Sequence, residues 1–188
     1  IGNYNGTWDK LFSKSIEVLK RFSQFLLVTD GDTSILDSVK DKVNILIQRC
    51  LWHIPYQARH VLWQDGVKRK GKEWLHVISE LMEICAIRPL VDCQKTIGKM
   101  IESKRKRLEE VIKYCLSKGY THTVSYLENA KPDMFTAIEK RLNGKTTSNV
   151  ERVMRTVNMR VNVSKWSVAG ALNVTKIRLA YYYNSFDT

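Results

Sequence analysis

The sequence lacks any long run of apolar residues and has few acidic residues relative to basic ones. Its longest apolar runs are pieces such as Phe25–Val28, far short of the roughly 20 residues that a membrane-spanning helix needs. We therefore expect no membrane span, and no signal-peptide pattern is present. Lysine and arginine number 31 against 19 aspartates and glutamates, which gives a net charge of +12. This excess favours a polyanionic partner, with nucleic acid as the first hypothesis.

Cys-x-x-Cys pairs, internal repeats and low-complexity segments are also missing. The four cysteines, at positions 50, 85, 93 and 115, lack the spacing of a disulfide scaffold, so we expect reduced thiols in a cytosolic protein. Apolar residues make up 44% and charged residues 27% of the chain, a composition that can bury a core and argues against disorder. The chain begins at Ile1, and we expect it to be part of a longer product.

An α/β unit is predicted near the start of the chain. Phe25–Thr29 is a short continuous apolar run, typical of a strand buried on both faces. Asp32 or Thr33 can cap a short helix that runs to about Lys42. Residues 43–48 predict a second strand. A strand-helix-strand unit implies parallel pairing with a right-handed crossover.

The remainder of the sequence predicts helices almost throughout. Residues 7–22 place apolar side chains on one stripe, which predicts an amphipathic helix before the first strand. Apolar spacing predicts a series of helices over residues 53–143, and residues 143–147 predict a loop. Further helices are expected from Ser148 to about Val163 and over Ser167–Tyr183. Helix ends are predicted near Trp63–Gly66, Arg88–Pro89, Lys118–Gly119 and Lys131–Pro132.

Asp30 directly follows the first predicted strand, at the end where open α/β sheets bind ligands. A carboxylate there is a suitable ligand for a hard cation. The plainer interpretation is that Asp30, Gly31 and Asp32 form a turn followed by a helix cap. The residues alone leave both interpretations open and favour the turn.

Glu151 also has two interpretations. Ser148–Glu151 matches the capping box Ser-x-x-Glu, which accounts for both of its end residues. The alternative is a metal-binding carboxylate on the first turn of a helix beside the strand ends. Spacing alone favours the cap.

Cys50 and His53 could supply two ligands to a zinc ion. A structural zinc site needs four ligands, and no matching second pair is apparent in the sequence. A buried cysteine and a hydrogen-bonded histidine are the simpler interpretation.

Basic residues form two groups. Lys104–Arg107 covers all faces of a helical turn, so we expect much of that charge to be solvated. Residues 141–178 carry eight basic residues against the single acid Glu151, a balance that suits phosphate contacts. Tyr181–Tyr183 could stack on bases, although packing of the last helix is the simpler role. The basic residues are Arg141, Lys145, Arg152, Arg155, Arg160, Lys165, Lys176 and Arg178.

Two segments carry motifs in a particular order. The first is Val28–Gly31 followed by the Cys-x-x-His of Gln48–His53, and the second is Thr147–Arg152 followed by Lys165–Ala171. Together they resemble the catalytic domain of DDE transposases of the Mutator-like type, closest to a bacterial insertion-sequence group with a similar Trp-Ser-x-x-Gly-Ala stretch. Each motif is weak alone, but their order and the helical stretch between them make the set more specific.

The resemblance implies roles for individual residues. Asp30 corresponds to the family's second catalytic aspartate, with Asp32 as a near competitor. Glu151 corresponds to the catalytic glutamate. Cys50 and His53 match the family's Cys-x-x-His, to which we give a structural or supporting role.

The family's first catalytic aspartate has no match. Asp9 does not qualify, because it lies on a predicted helix with no strand before it. We expect this aspartate upstream of Ile1. We expect the missing strands of the sheet there or within residues 1–6, because a two-stranded unit is marginally stable. The chain alone is then expected to be inactive.

The resemblance also implies a cofactor and partners. Three carboxylates would hold two Mg²⁺ ions, of which one activates water or a DNA 3′-hydroxyl and the other stabilises the leaving oxygen. DNA, as transposon ends and target, is the implied partner of a homo-oligomer in the bacterial cytoplasm, associated with the nucleoid and not with a membrane. The residues expected to hold DNA near the metals are Arg152, Arg155, Arg160 and Lys165.

The expected fold is α/β and mostly helical. Residues 1–65 would form a partial RNase H-like core, residues 66–143 an all-helical insertion, and residues 144–188 a helical return that completes the core. Asp30 and Glu151 would then face one cleft. The alternatives are a non-enzymatic DNA-binding remnant of a transposase and a helical protein that binds acidic partners.

Overall fold

Contacts divide the chain into two compact units. One unit runs from Tyr4 to Thr146, and the other contains residues 147–188 with Ile1–Asn3. The computed structural model is mostly helical and describes residues 7–39, 44–87, 94–142, 146, 152–157 and 165–183. The predicted boundary at residue 65 lies within the first unit, so the α/β part and the helices that follow it belong to one compact body.

The first unit begins with the predicted strand-helix-strand arrangement. Its strands pair in parallel, with Phe25 opposite Ile45 and Thr29 opposite Arg49, which confirms the predicted pairing. The second strand starts later than predicted and extends one residue further. The elements are α1 (Thr7–Leu19), β1 (Phe25–Thr29), α2 (Thr33–Val39) and β2 (Ile45–Arg49).

Burial in this region is lower than the sequence predicts. In β1 only Thr29 is buried, and the residues before it are half-buried, because the described sheet has two strands and so leaves each with an open edge. The apolar stripe of α1 is also incomplete, since Leu11 is 49% exposed. Phe22, which was predicted on the same helix, lies beyond its end and is 60% exposed. The helix packs chiefly on α2, which at seven residues is too short to cover the stripe.

Helices make up most of the other described residues of the first unit. The described residues between 66 and 142 contain no strand, which confirms the helix prediction for them. None of the described helices is both long and apolar enough to cross a membrane. The elements are α3 (His53–Gln64), α4 (Lys72–Cys85), α5 (Gln94–Ser117), α6 (Thr121–Ala130), a 3₁₀ turn (Lys131–Asp133) and α7 (Thr136–Glu139).

The buried core of this unit lies among the helices. Its apolar cluster extends from Leu51 to Phe135 and draws on α3, α4, α5 and α6. Among the described residues, neither β1 nor β2 contributes a member to the cluster. The sheet is therefore attached to the helical core by other contacts.

Gln48 supplies one such attachment. Its side chain is fully buried near the end of β2. Nε2 donates to the carbonyl oxygens of Arg49 and Met134, both at 2.6 Å, and Oε1 accepts from the Ala137 N–H at 2.8 Å. Because the buried amide is hydrogen-bonded at both of its polar atoms, it joins β2 firmly to the start of α7.

Helix α6 begins on a cap that comes from another helix. Asp65, which follows α3, accepts hydrogen bonds from the N–H groups of His122 at 2.9 Å and Thr123 at 2.8 Å, and from the Thr123 hydroxyl at 2.7 Å. The first N–H groups of a helix have no partner within it, and a carboxylate there also suits the helix dipole. Asp65 thus fixes the start of α6 to the end of α3.

In the second unit, residues 152–157 are helical and α8 spans Val168–Tyr182. Ser167 caps α8, because its Oγ accepts from the Gly170 N–H at 3.1 Å. Arg178 Nε donates to the Thr156 carbonyl oxygen at 3.3 Å and joins the two helical segments. The start of the last helix is therefore as predicted, whereas the predicted capping box at residues 148–151 lies outside the described residues.

Candidate functional site

Asp30 lies at the carboxyl end of β1, where the sequence predicts it. The residue is exposed. Its Oδ1 accepts the Asp32 N–H at 3.2 Å and lies 3.4 Å from the Thr29 hydroxyl. Among the described residues, Oδ2 has no hydrogen-bond partner, so one oxygen of this carboxylate is available to a ligand.

Asp32 has a structural role. Its Oδ1 accepts the N–H of Ser34 at 2.9 Å and the Ser34 hydroxyl at 2.6 Å, which is the contact of a residue that caps a helix. The structure thus confirms the turn-and-cap interpretation for Asp32 at the start of α2. Of the two neighbouring aspartates, Asp30 is the better candidate for binding a ligand.

Gly31 and Arg49 shape the turn between these two aspartates. Gly31 has a φ of 102°, in the region of backbone conformation that favours glycine. The Arg49 guanidinium occupies the space that a Cβ atom at residue 31 would need. Both the conformation and the close approach therefore require glycine after Asp30.

Arg49 is a buried cation that the sequence does not single out. It is 3% exposed, and its Nη1 donates to the Asp30 carbonyl oxygen at 3.1 Å. Nη2 donates to the Asn129 Oδ1 at 2.8 Å, so Arg49 links the turn of Asp30 to α6. None of the ion pairs among the described residues involves Arg49, and its Nε has no hydrogen-bond partner.

A polar cavity of about 450 Å³ opens beside this turn, between α3 and α6. The Tyr126 hydroxyl is buried there without a hydrogen-bond partner among the described residues. Burial raises the pKa of Tyr126 above its ordinary value, although the Arg49 charge opposes the shift. The hydroxyl therefore stays protonated near neutral pH. The polar residues that line the cavity are Asp30, Asp32, Arg49, Gln57, Gln64, His122, Ser125, Tyr126 and Asn129.

Cys50 and His53 form the turn between β2 and α3. The N–H of buried Cys50 donates to the Thr29 carbonyl oxygen at 2.8 Å, and the N–H of His53 donates to the Cys50 carbonyl oxygen at 3.1 Å. In the described part of the chain, no three His, Cys, Asp or Glu side chains are grouped so that they could hold a metal ion. These backbone contacts place Cys50 and His53 in the turn, and the structural or supporting role of their side chains stays a prediction.

The remaining predicted site residues belong to the second unit. Glu151 and Arg160 lie outside the described residues. Arg152, Arg155 and Lys165 are exposed, and they take no part in the ion pairs that the described residues form. That Asp30 and Glu151 share one cleft stays a prediction.

The basic run on α5 makes contacts beyond its prediction. Lys104 donates to the Glu83 carbonyl oxygen. Arg105 pairs with Glu139 and Arg107 with Glu80, each at 2.7 Å. These side chains remain partly exposed, as expected for solvated charge. They also tie α5 to α4 and α7, which the sequence did not predict. Spacing within α5 could not reveal this, because the partners lie 21 to 34 residues away in sequence.

No protein-family model, curated protein or solved structure matches the chain. A proposal of function must therefore rest on the geometry around Asp30. The resemblance to transposases stays a prediction drawn from the motifs.

Proposed function

We propose that this chain is the C-terminal part of a DDE transposase catalytic domain, with a partial RNase H-like fold and a helical insertion. The observation that carries the proposal is the position of Asp30. Its carboxylate ends a strand of a parallel pair, lines a polar cavity and keeps one oxygen available. Ligands of open α/β sheets bind at this end of the strands.

The residues at the end of β1 suit a hard cation. Asp30 offers a carboxylate oxygen, the ligand that Mg²⁺ prefers, and Arg49 holds its turn through the Asp30 carbonyl oxygen. Glu151 is the proposed second ligand, and an aspartate from sequence upstream of Ile1 is the third. Two Mg²⁺ ions bound there would activate water or a DNA 3′-hydroxyl and stabilise the leaving oxygen.

DNA is the proposed partner. The exposed cations Arg152, Arg155 and Lys165 are suited to contact phosphates, and we add Arg160 to this set. Binding through phosphate contacts weakens as salt rises, because neutralising each phosphate releases bound counterions. A titration of duplex DNA against the chain at several salt concentrations therefore tests this part of the proposal. Binding that does not respond to salt would contradict it.

Asp30→Asn tests the catalytic assignment. Asparagine keeps the Oδ1 that accepts the Asp32 N–H, so the turn and the folding should be preserved, but it removes the charge that Mg²⁺ requires. In the chain extended by its upstream coding sequence, we expect loss of Mg²⁺-dependent cleavage of DNA that carries a transposon end. Glu17→Gln, at an exposed residue of α1, is the matched control. Wild-type cleavage by the Asp30 variant would remove this residue from the catalytic set.

Glu151→Gln distinguishes a capping role of Glu151 from a role as a metal ligand. Glutamine also serves at the third position of a capping box, so a purely capping role predicts a stability cost of roughly 1 kcal/mol or less. A ligand role predicts that cleavage is abolished while folding and DNA binding persist. The measurements are cleavage, thermal melting and a binding titration at fixed salt. Normal cleavage would leave the capping box as the whole explanation of Glu151.

The alternative is a DNA-binding remnant of a transposase without enzymatic activity. It is favoured by one observation, namely that none of the 188 residues matches the family's first aspartate. Salt-dependent DNA binding without cleavage by the extended chain would support the remnant. Absence of DNA binding would instead favour a helical protein that binds acidic partners.

A further inference from the structure

A second cavity, of about 300 Å³, lies between the start of α3 and the end of α4. Its lining is mainly apolar and includes Leu51, Trp52, Tyr56 and Met82, with Arg59 as a cation. Cys85 also lines it, and burial raises the pKa of this thiol to about 12, so the thiol is neutral. Among the described residues, no aspartate or glutamate lines this cavity.

Two of the lining residues form an exposed aromatic stack. Trp52 is 55% and Tyr56 54% exposed. Their ring centroids are 5.3 Å apart and the ring planes differ by 15°. The His53 ring meets the Trp52 ring edge-on, with centroids 4.9 Å apart. Contacts with both rings restrict the orientation of the indole, which reduces the entropy that binding would cost.

The surface around this stack carries positive charge. The segment from Leu51 to Gln64 contains no acidic residue, and Arg59 is exposed on α3. Flat aromatic faces beside cations are what unpaired nucleic acid requires, since bases stack on the rings and phosphates pair with the charges.

We propose that the cavity formed by Trp52, Tyr56 and Arg59 receives an unpaired base of DNA, stacked on the Trp52 ring. Arg59, which lines the cavity, then pairs with a phosphate next to that base. This inference rests on the DNA-binding part of the proposed function. It adds a site separate from Asp30, one that recognises a nucleotide outside the duplex.

The test compares two DNAs that differ by one base. A fully paired duplex and the same duplex with one bulged 2-aminopurine are titrated against the 188-residue chain at fixed salt. Stacking of one base predicts that the bulged DNA binds tighter by roughly 5- to 100-fold. The fluorescence of the 2-aminopurine should be quenched on binding, because it stacks on the indole. Equal affinities would overturn the inference.

Variants of Trp52 test whether this cavity causes the preference for the bulged DNA. Trp52→Leu keeps an apolar side chain but removes the stacking face, so the preference for the bulged DNA should disappear while duplex binding persists. Trp52→Phe should retain part of it. Trp63→Leu is the matched control, because Trp63 is 66% exposed at the opposite end of α3 and does not line the cavity. Thermal melting checks that each variant is folded.

The outcomes separate the two proposals. A preference that survives Trp52→Leu, or that Trp63→Leu removes equally, would overturn the cavity as its origin. Duplex binding without any preference would overturn the base site and leave the proposed function standing. Absence of binding to either DNA would overturn both. If the cavity binds an apolar peptide instead, the chain should likewise bind the bulged DNA and the fully paired duplex equally.

Discussion

Gly31 is the residue on which the geometry of the Asp30 turn depends most directly. Its φ of 102° and the adjacent Arg49 guanidinium act together. A side chain at this position would strain the backbone and displace a buried cation. The position of the Asp30 carboxylate is thus coupled to Arg49, 19 positions further along the chain.

Gly31→Ala should lower the free energy of unfolding by roughly 1–3 kcal/mol, the cost of a strained non-glycine conformation. Displacement of Arg49 should lower it further. Gly98→Ala is the control, because nothing lies within 4 Å of a Cβ there. That change, within α5, should raise stability by roughly 0.5–1 kcal/mol. Urea unfolding measures both. Equal effects of the two variants would contradict the role given to Gly31.

Sequence alone predicted that Asp30 follows a strand and that Asp32 or Thr33 caps the next helix, because an apolar run and a cap before a helix are local patterns. It could not identify Arg49 or Tyr126 as parts of the cavity. The side-chain partner of Arg49 is Asn129, 80 residues away, and no local spacing records such a contact. The sequence also did not predict the exposed stack of Trp52 and Tyr56, because apolar residues on a helix usually predict a buried face.

At the scale of the elements, Gln48 holds the sheet to the helices. Gln48→Leu should lower the free energy of unfolding by roughly 2–5 kcal/mol, because it leaves the buried Ala137 N–H and the Met134 carbonyl without this partner. Gln64→Leu changes an exposed residue and should stay within about 0.5 kcal/mol of the wild type. Denaturant unfolding of both variants tests this. A mild effect of Gln48→Leu would show that other contacts hold β2.

Glu73 makes the contact between α4 and the turn that joins α5 to α6 dependent on pH. Its carboxylate accepts from Lys118 Nζ at 2.9 Å and from the Tyr120 hydroxyl at 2.7 Å. The hydrogen bond from Lys118, followed by that from Tyr120, lowers the pKa of Glu73 below its ordinary value of 4.5. Folding therefore favours the ionised form, and the resulting stability is present above pH 4.5 and is lost as the pH falls through the lowered pKa.

We therefore expect the difference in stability between the wild type and Glu73→Gln to be constant from about pH 8 to about pH 5 and to shrink in more acidic solution. Thermal melting over this range measures it. Tyr120→Phe should keep the pH dependence in reduced form, since the Lys118 contact remains. Parallel pH profiles for the wild type and Glu73→Gln would contradict the expectation.

Helices and the parallel strand pair were predictable because apolar spacing and chain connectivity are encoded locally. Strand burial was not, since it depends on how many neighbours the sheet has. The ion pairs of Arg105 and Arg107 were also missed. Their partners, Glu139 and Glu80, lie on other helices, so tertiary packing decides whether the charge on α5 is solvated.

At the scale of the whole molecule, the two units differ in how they are stabilised. The large buried cluster lies entirely within the first unit. A chain ending at Thr146 should therefore keep a cooperative unfolding transition, as measured by circular dichroism in denaturant. Loss of that transition would mean that the second unit is required for folding.

The same truncation should weaken DNA binding, because it removes six of the basic residues. If all six contact phosphates, the slope of log affinity against log salt should decrease in magnitude by up to about 5. The matched comparison is the 188-residue chain with the same duplex. An unchanged slope would place the phosphate contacts in the first unit.

The buried amide of Gln48 also has a consequence for protein synthesis. Its partners at Met134 and Ala137 are 86 and 89 residues further along the chain. At about 5–20 residues per second, the ribosome adds Ala137 roughly 5–20 seconds after Gln48. During that interval the nascent sheet has no helical partner for this amide, and water must hydrate it. The α/β segment is therefore synthesised before its helical partner exists. Gln48 can make its hydrogen bonds to Met134 and Ala137 only after both residues have been translated.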